Sequence, residues 1–185
     1  MTRLVNERND VLAALREVFR EYGYAGTSLA LIGKRSGLGK GSLYHFFPGG
    51  KEEMAAAVLD DIGAWFEQRM FQPLREDKDP VSAIRGMFRT ADEYFQSGER
   101  ICLVGAFALS DVRDSFAARI DAYFVAWRNA LANALNRAGK NPRRARTLAE
   151  DVICAIQGAV VSARAHNDSL IFNRLLKLCE KRLEL

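Results

Sequence analysis

Cysteine and histidine are scarce in this chain, and they form no metal-binding pattern. The 185 residues include three cysteines and two histidines. The cysteines, Cys102, Cys154 and Cys179, are odd in number and far apart, and no Cys-x-x-Cys pair occurs. This spacing indicates neither a disulfide framework nor a zinc site. The sequence therefore predicts no metal and no cofactor.

Long apolar runs are missing as well. The longest candidates, 101–109 and 152–161, fall well short of the roughly 18 residues that a membrane-spanning helix needs. Residues 1–10 mix charged residues with asparagine and lack the apolar core of a signal peptide. We therefore expect a cytoplasmic protein with no membrane partner.

Proline is rare, with four residues, and the apolar residues recur at helical spacing. No period-two alternation bounded by hairpin turn residues is found. The sequence predicts an all-α fold in which Gly23 ends the first helix and Pro73 ends the fourth. The predicted helices span 11–23, 29–37, 39–46, 51–72, 80–98, 111–138, 143–165 and 168–183, and 102–109 is a short apolar segment.

Glycine and charge are unevenly distributed along the chain. Residues 1–51 contain eight of the 14 glycines and carry eight basic against four acidic residues, whereas the remainder has 19 of each sign. No Asp or Glu occurs from Tyr24 to Lys51. Such a stretch can lie against a polyanion without repulsion between like charges. We predict a small N-terminal module of short helices joined to a larger, charge-balanced bundle.

Two of the short helices are joined by the turn Ser36-Gly37-Leu38-Gly39, a pattern typical of a helix-turn-helix. In that motif the second helix enters the major groove of DNA. Glycines near its start allow close approach, Lys40 suits guanine or phosphate, and hydroxyl and imidazole groups suit phosphate oxygens. Hydroxyls at the start of the preceding helix can bind flanking phosphates, and so can the lysine that begins the fourth helix. The candidate DNA-binding residues are Thr27, Ser28, Gly39, Lys40, Gly41, Ser42, Tyr44, His45 and Lys51.

Other interpretations remain open at this point. Tyr44 can be a core aromatic, and His45 can be a solvated surface residue. The chain can also be an all-α enzyme or carrier, although no nucleophile–base pair or paired catalytic carboxylates are found. An architectural DNA binder without a ligand is a third possibility. A nucleotide-binding loop is disfavoured, because Lys34 occupies the position of the first glycine of a Walker sequence.

Residues 11–54 resemble the DNA-binding domain of the TetR family of transcriptional regulators. The resemblance rests on Thr27-Ser28, Gly37-Leu38, the string from Lys40 to Phe47 and Lys51-Glu52-Glu53. It implies a non-enzymatic, homodimeric repressor, whose domain at 1–50 binds a palindromic operator in double-stranded DNA. The bundle at 51–185 is then expected to dimerise and to bind a small apolar or aromatic effector that releases the DNA. The Pro48-Gly49-Gly50-Lys51 segment resembles a subgroup associated with sensing drugs or plant phenolics.

The bundle is rich in large aromatic residues, most of which we expect in the core. Bundles bind apolar ligands between their helices, so some of these rings are candidates for an effector pocket. The candidate effector-binding residues are Phe88, Cys102, Phe107 and Trp127. The resemblance places the dimer interface on the last two helices, where small residues permit close helix contact. The candidate interface residues are Ala155, Gly158, Ala159, Ser162 and Ala163.

Overall fold

The computed structural model describes residues 8–184, with side chains from Asp10 onward, and this part of the chain is helical without strands, as predicted. No helix within it is long and apolar enough to cross a membrane. The α-helices are α1 (Arg8–Gly26), α2 (Leu29–Ser36), α3 (Lys40–Phe46), α4 (Gly50–Phe66), α5 (Gln72–Glu76), α6 (Pro80–Phe95), α7 (Leu103–Ala108), α8 (Ala117–Arg137), α9 (Pro142–His166) and α10 (Ser169–Arg182). A π-helical turn spans Glu67–Phe71, and a 3₁₀ turn spans Arg113–Phe116.

Most helix starts and stops carry the predicted local signals. Asp79 caps α6 by accepting hydrogen bonds from the backbone N–H groups of Val81 and Ser82. Gly23 leaves helical geometry with φ at 66°, which breaks the regular part of α1 where predicted. The end of α6 comes earlier than predicted, at Phe95, because the residues before Gly98 already adopt positive φ. The predicted helix at 111–138 is likewise divided, since it begins with a 3₁₀ turn.

The prediction that Pro73 ends the fourth helix was wrong. Helix α4 ends earlier, at Phe66, and the π-helical turn follows it directly. The Gln72 N–H donates to the Glu67 carbonyl, five residues back, and α5 starts there. Pro73 therefore lies in the first turn of a new helix, where its missing N–H removes no hydrogen bond.

Packing divides the chain into two compact units, and the first consists of residues up to Gly63 together with Leu103–Ile120. Its core contains fully buried apolar residues from α1 to α4, and α7 packs against α1. These core residues include Leu15, Phe19, Ile32, Leu43, Phe47, Met54 and Val58. The functional boundary predicted at residue 50 stays a prediction, whereas the packing boundary follows Gly63.

The second unit consists of Ala64–Cys102 and the chain from Asp121 onward. Helices α9 and α10 pack against each other, and α10 also contacts α6. The core of this unit is a cluster of aromatic rings contributed by several helices. The buried members are Phe66, Phe71, Tyr94, Phe95, Tyr123, Trp127 and Phe172.

Candidate nucleic-acid interface

Helices α2 and α3 are joined by a short, internally bonded turn. Ser28 caps α2 by accepting a hydrogen bond from the Leu31 N–H at 3.2 Å. Gly37 ends α2 with φ at 74°, a left-handed conformation that favours glycine. The buried Ser36 hydroxyl donates to the Ile32 carbonyl and accepts from the Leu38 N–H, which fixes the turn. The predicted helix-turn-helix geometry is therefore present.

Helix α3 has one buried face and one exposed face. Leu43 and, just beyond the helix, Phe47 have no solvent exposure and anchor it to the first unit. The residues on the other side are exposed, and we call this surface the α3 face. It consists of Gly39, Lys40, Gly41, Ser42, Tyr44 and His45. Tyr44 is 40% exposed, so it is not a core aromatic.

The α3 face combines cationic, hydroxyl and imidazole groups with an open backbone. The Lys40 ammonium nitrogen lies 5.9 Å from the centroid of the Tyr44 ring. A Cβ atom added at Gly39 or Gly41 meets no atom within 4 Å. Neither glycine has a positive φ, so the fold itself does not require glycine at these positions. Their small size leaves room for a partner that approaches the backbone closely.

Thr27 does not lie on an exposed phosphate-binding surface. Its side chain is buried, and its hydroxyl donates a 2.6 Å hydrogen bond to the Gly23 carbonyl. This bond ties α2 to the corner where α1 is broken. The prediction that the Thr27 hydroxyl contacts phosphate is therefore corrected. The neighbouring Ser28 is exposed, with its oxygen engaged as the cap of α2.

The side chain of Lys51 also makes its contacts within the first unit. Its ammonium donates to the carbonyls of Tyr24 and Thr27, each at 3.0 Å, and lies 4.3 Å from the centroid of the Tyr24 ring. The Tyr24 ring in turn contacts Phe107 and Phe116 edge-on. Two of the three ammonium donors are thus used to hold the start of α4 against the α1–α2 corner. Lys51 is a positioning residue in this geometry and not an extended phosphate ligand.

We expect Lys51→Met to lower the free energy of unfolding by about 1–3 kcal/mol, because two partly buried carbonyls lose a charged donor. Urea unfolding followed by circular dichroism measures this loss. Lys34→Met is the matched control, since Lys34 is exposed on α2 and its loss should leave stability within about 0.5 kcal/mol. Equal effects of the two substitutions would contradict the positioning role.

A cluster of polar side chains beside α2 was not predicted from the sequence. Tyr22 fits the apolar stripe of α1, yet it is 39% exposed, and its hydroxyl accepts a 3.3 Å hydrogen bond from Arg35. Arg35 also pairs with Glu21 at 2.5 Å. The hydrogen bond with Tyr22, followed by the charge of Glu21, raises the pKa of Arg35. Arg35 is therefore tied to α1, and no local sequence signal could reveal this pairing across 14 residues.

The candidate effector residues lie in different units. Phe88, Cys102 and Trp127 are buried in the second unit, where the Trp127 indole N–H points to the Met87 sulfur at 3.4 Å. Phe107 belongs to the first unit and packs edge-on against Phe19. Phe107 therefore lies beside α1, in a different packing unit from the other three candidates, and its contact with an effector stays a prediction.

The candidate interface residues lie along one side of α9 but differ in their exposure. Gly158 is exposed, and Ala155 and Ser162 are half-buried. Ala159 and Ala163, however, are 1% and 3% exposed, so they face the interior of their own unit. Small size at these two positions serves packing within the chain. They are therefore removed from the exposed surface that a partner can reach.

Comparison with known proteins agrees with the helix-turn-helix geometry. A family model described as "Bacterial regulatory proteins, tetR family" matches residues 11–58, and a model described as "Transcriptional regulator LmrA/YxaF-like, C-terminal domain" matches residues 80–177. The second match alone covers more than half of the chain.

Individual relatives support the same assignment. YxaF of Bacillus subtilis, an uncharacterised HTH-type transcriptional regulator, is 39% identical over 101 residues, which cover 55% of this chain and about half (53%) of YxaF. LmrA of Bacillus subtilis, an HTH-type transcriptional regulator, is 28% identical over 160 residues, covering 84% of this chain and 85% of LmrA.

A solved structure extends the likeness to the complete fold. The crystal structure of a TetR transcriptional regulator from Legionella pneumophila superposes with a TM-score of 0.84 at 19% identity, covering 98% of this chain and 99% of that one. At this identity the likeness shows the fold. The two family matches establish that this chain belongs to the TetR family of bacterial transcriptional regulators, which are DNA-binding proteins and not enzymes.

Proposed function

We propose that this protein is a homodimeric repressor that binds a palindromic operator and leaves it when a small apolar or aromatic effector binds. The observation that carries the proposal is the α3 face. It presents a lysine, a tyrosine and a histidine on one short helix, with two sterically unhindered glycines at and just before the start of that helix. The chain around this helix contains no acidic residue from Tyr24 to Lys51.

In this proposal α3 enters the major groove and reads the operator. Lys40 can donate to guanine O6 and N7, and Tyr44 can pack against a thymine methyl or donate to phosphate. Ser42 and His45 supply further donors to the DNA backbone. Gly39 and Gly41 let the start of α3 approach the base edges. Thr27 and Lys51 support the DNA-reading helices from inside the unit.

Dimerisation is proposed to use the exposed apolar surface of α9 and α10, which we call the α9–α10 face. Cys154, Gly158, Val161 and Ala165 lie three or four residues apart on α9 and are exposed. Leu170 and Leu178 on α10 are 62% and 41% exposed. Exposed apolar residues at helical spacing favour burial against a second copy of the same surface.

An effector site is proposed in the aromatic core of the second unit. This core contains Phe88 and Trp127, two of the residues expected to contact an effector, and Cys102 is buried in the same unit. Apolar pockets between helices of a bundle are suited to small aromatic molecules. The effector acts in this proposal by favouring a conformation that binds the operator less tightly.

Selection of bound duplexes from random DNA tests the proposal, at a fixed salt concentration because binding depends steeply on salt. We expect an enriched palindrome, whose half-sites reflect two α3 helices related by a two-fold axis. Enrichment of a single half-site would contradict the dimeric part of the proposal. Absence of any enriched sequence from ligand-free protein would contradict operator binding and would leave an architectural DNA binder.

The Val161→Glu variant connects the palindrome to the α9–α10 face. Val161 is 64% exposed, so the substitution does not disturb the core of its own unit, but it places two carboxylates together in the proposed dimer. We expect this variant to sediment as a monomer and to lose palindrome enrichment. Leu109→Glu, at a position 88% exposed on the first unit, is the matched control and should retain both properties.

A further inference from the structure

A cleft of about 510 Å³ opens on the second unit, between the segment after α6, the end of α9 and the start of α10. Two of its lining residues, Gly98 and Ala163, are buried and lack bulky side chains. The other lining residues are polar: Glu99, Arg164, Asn167, Asp168 and Ser169. Sites for small molecules commonly enclose roughly 300–1,000 Å³, so this cleft is large enough for one. It shares no residue with the aromatic ring cluster of the same unit.

The guanidinium of Arg164 is held at this cleft by a contact with the backbone. Its Nη1 donates a 2.5 Å hydrogen bond to the Glu99 carbonyl, which joins α9 to the segment after α6. A guanidinium has several N–H donors in a planar fork, so most of them remain for other acceptors. No carboxylate pairs with Arg164 among residues 8–184, which the structure describes.

Asp168 brings a carboxylate to the same cleft. Its Oδ1 accepts a 2.9 Å hydrogen bond from the Leu170 N–H and caps α10, while its own N–H donates to the Ala163 carbonyl at 2.9 Å. These two bonds fix the position of the residue. The carboxylate makes no ion pair within the described part of the chain, so its other oxygen can accept a further hydrogen bond.

The cleft thus contains opposite charges that do not neutralise each other. Arg164 and Asp168 are four residues apart, yet each is bonded to the backbone and they form no ion pair. The exposed Glu99 adds a second carboxylate. A simple anion would meet the carboxylates here, and a simple cation would meet the guanidinium, so like charges would oppose either one. A molecule that carries both charges can place each beside its opposite.

We propose that this cleft binds a small zwitterion of the amino-acid class. Arg164 binds the carboxylate of the ligand through its remaining N–H donors, and Asp168 accepts from the ammonium. Asn167 and Ser169 add uncharged donors and acceptors. The site goes beyond the proposed repressor function, because its occupant differs in chemistry from the apolar effector and uses none of the same residues.

Calorimetric titration with each of the common L-amino acids, up to about 10 mM, gives the first test. We expect at least one of them to bind. Its primary amide, which lacks the carboxylate, and its N-acetyl derivative, which lacks the ammonium, should each bind about tenfold more weakly. Absence of binding by every amino acid overturns the proposal, and so does equal affinity for the two derivatives.

Two substitutions that remove one charge each assign the contacts. Arg164→Met should weaken binding of the amino acid about tenfold and remove its advantage over the amide. Asp168→Asn should weaken it similarly and remove its advantage over the N-acetyl derivative. Asparagine also caps helices, so the start of α10 is kept. Arg143→Met and Asp151→Asn make the same changes at exposed positions of α9 outside the cleft and should leave the affinity unchanged.

Circular dichroism checks that the variants are folded. If loss of the bond to the Glu99 carbonyl unfolds Arg164→Met, Asp168→Asn tests the site by itself. Wild-type affinity in Asp168→Asn shows that the amino acid binds elsewhere and contradicts the proposal. The titrations contain no DNA, so their failure is distinguishable from a failure to select an operator.

Discussion

Replacing Gly98 by alanine should destabilise the second unit by about 3–5 kcal/mol, which combines a left-handed backbone cost with overpacking of a closed core. Gly98 has φ at 90°, a conformation that side chains rarely adopt. An added Cβ would lie 2.7 Å from the Ala163 Cβ and 2.9 Å from the Phe172 Cβ. Both atoms sit directly on the backbone of packed helices, so they cannot rotate away.

Gly139→Ala separates the two contributions. Gly139 has a similar φ of 99°, but a Cβ added there meets no atom within 4 Å. This variant should therefore lose only the backbone term, about 1–2 kcal/mol. Urea unfolding of both variants, followed by circular dichroism, gives the comparison. Equal losses at the two positions would mean that the helices around Gly98 move apart to accept the methyl group.

The contact at Gly98 also explains why Ala163 is small. From the sequence alone, small residues on α9 fitted a helix–helix interface between two chains. In the structure, Ala163 is buried beside Gly98, which lies in the segment that follows α6. A small residue at helical spacing indicates close packing but does not indicate the partner, because contacts within and between chains impose the same limit on size.

The parts of the fold that depend on neighbouring residues could be predicted. Asp79 and Asp168 each cap the helix that follows, and Gly37 ends α2 in the left-handed conformation. These signals are local, since a cap bonds to N–H groups two or three residues away. The burial of Leu43 also followed from its apolar side chain, whereas Phe46 in the same helix is apolar as well but only half-buried.

The parts that depend on distant residues could not be predicted in the same way. The hydrogen bonds from Lys51 to the Tyr24 and Thr27 carbonyls join residues that are 27 and 24 positions apart in the sequence. Phe107 joins the first unit because the chain returns to α1 after α6, which periodicity does not encode. The π-helical turn before Pro73 was not predicted. Such a turn inserts one extra residue into a helix, and this insertion only shifts the positions of the apolar residues that follow without breaking their helical spacing.

Gly41→Leu should reduce affinity for the selected operator by about a hundredfold while leaving the fold intact. The Cβ position of Gly41 is open, and leucine favours the helix by roughly 0.5–1 kcal/mol over glycine, so stability should not fall. In the proposed complex the added side chain holds α3 away from the groove floor. Losing two base contacts of about 1–3 kcal/mol each accounts for the expected weakening.

Gly63→Leu is the matched control for this substitution. Gly63 lies in α4, and a Cβ added there also meets no atom within 4 Å. The same residue change is thus made at two open helical positions, only one of which is on the α3 face. Fluorescence anisotropy with the selected duplex at one salt concentration should show a loss for Gly41→Leu alone. If Gly41→Leu binds as tightly as the wild-type protein, α3 does not insert its N-terminal end into the groove. The reading residues would then have to be sought at the exposed Tyr44 and His45, toward the other end of the helix.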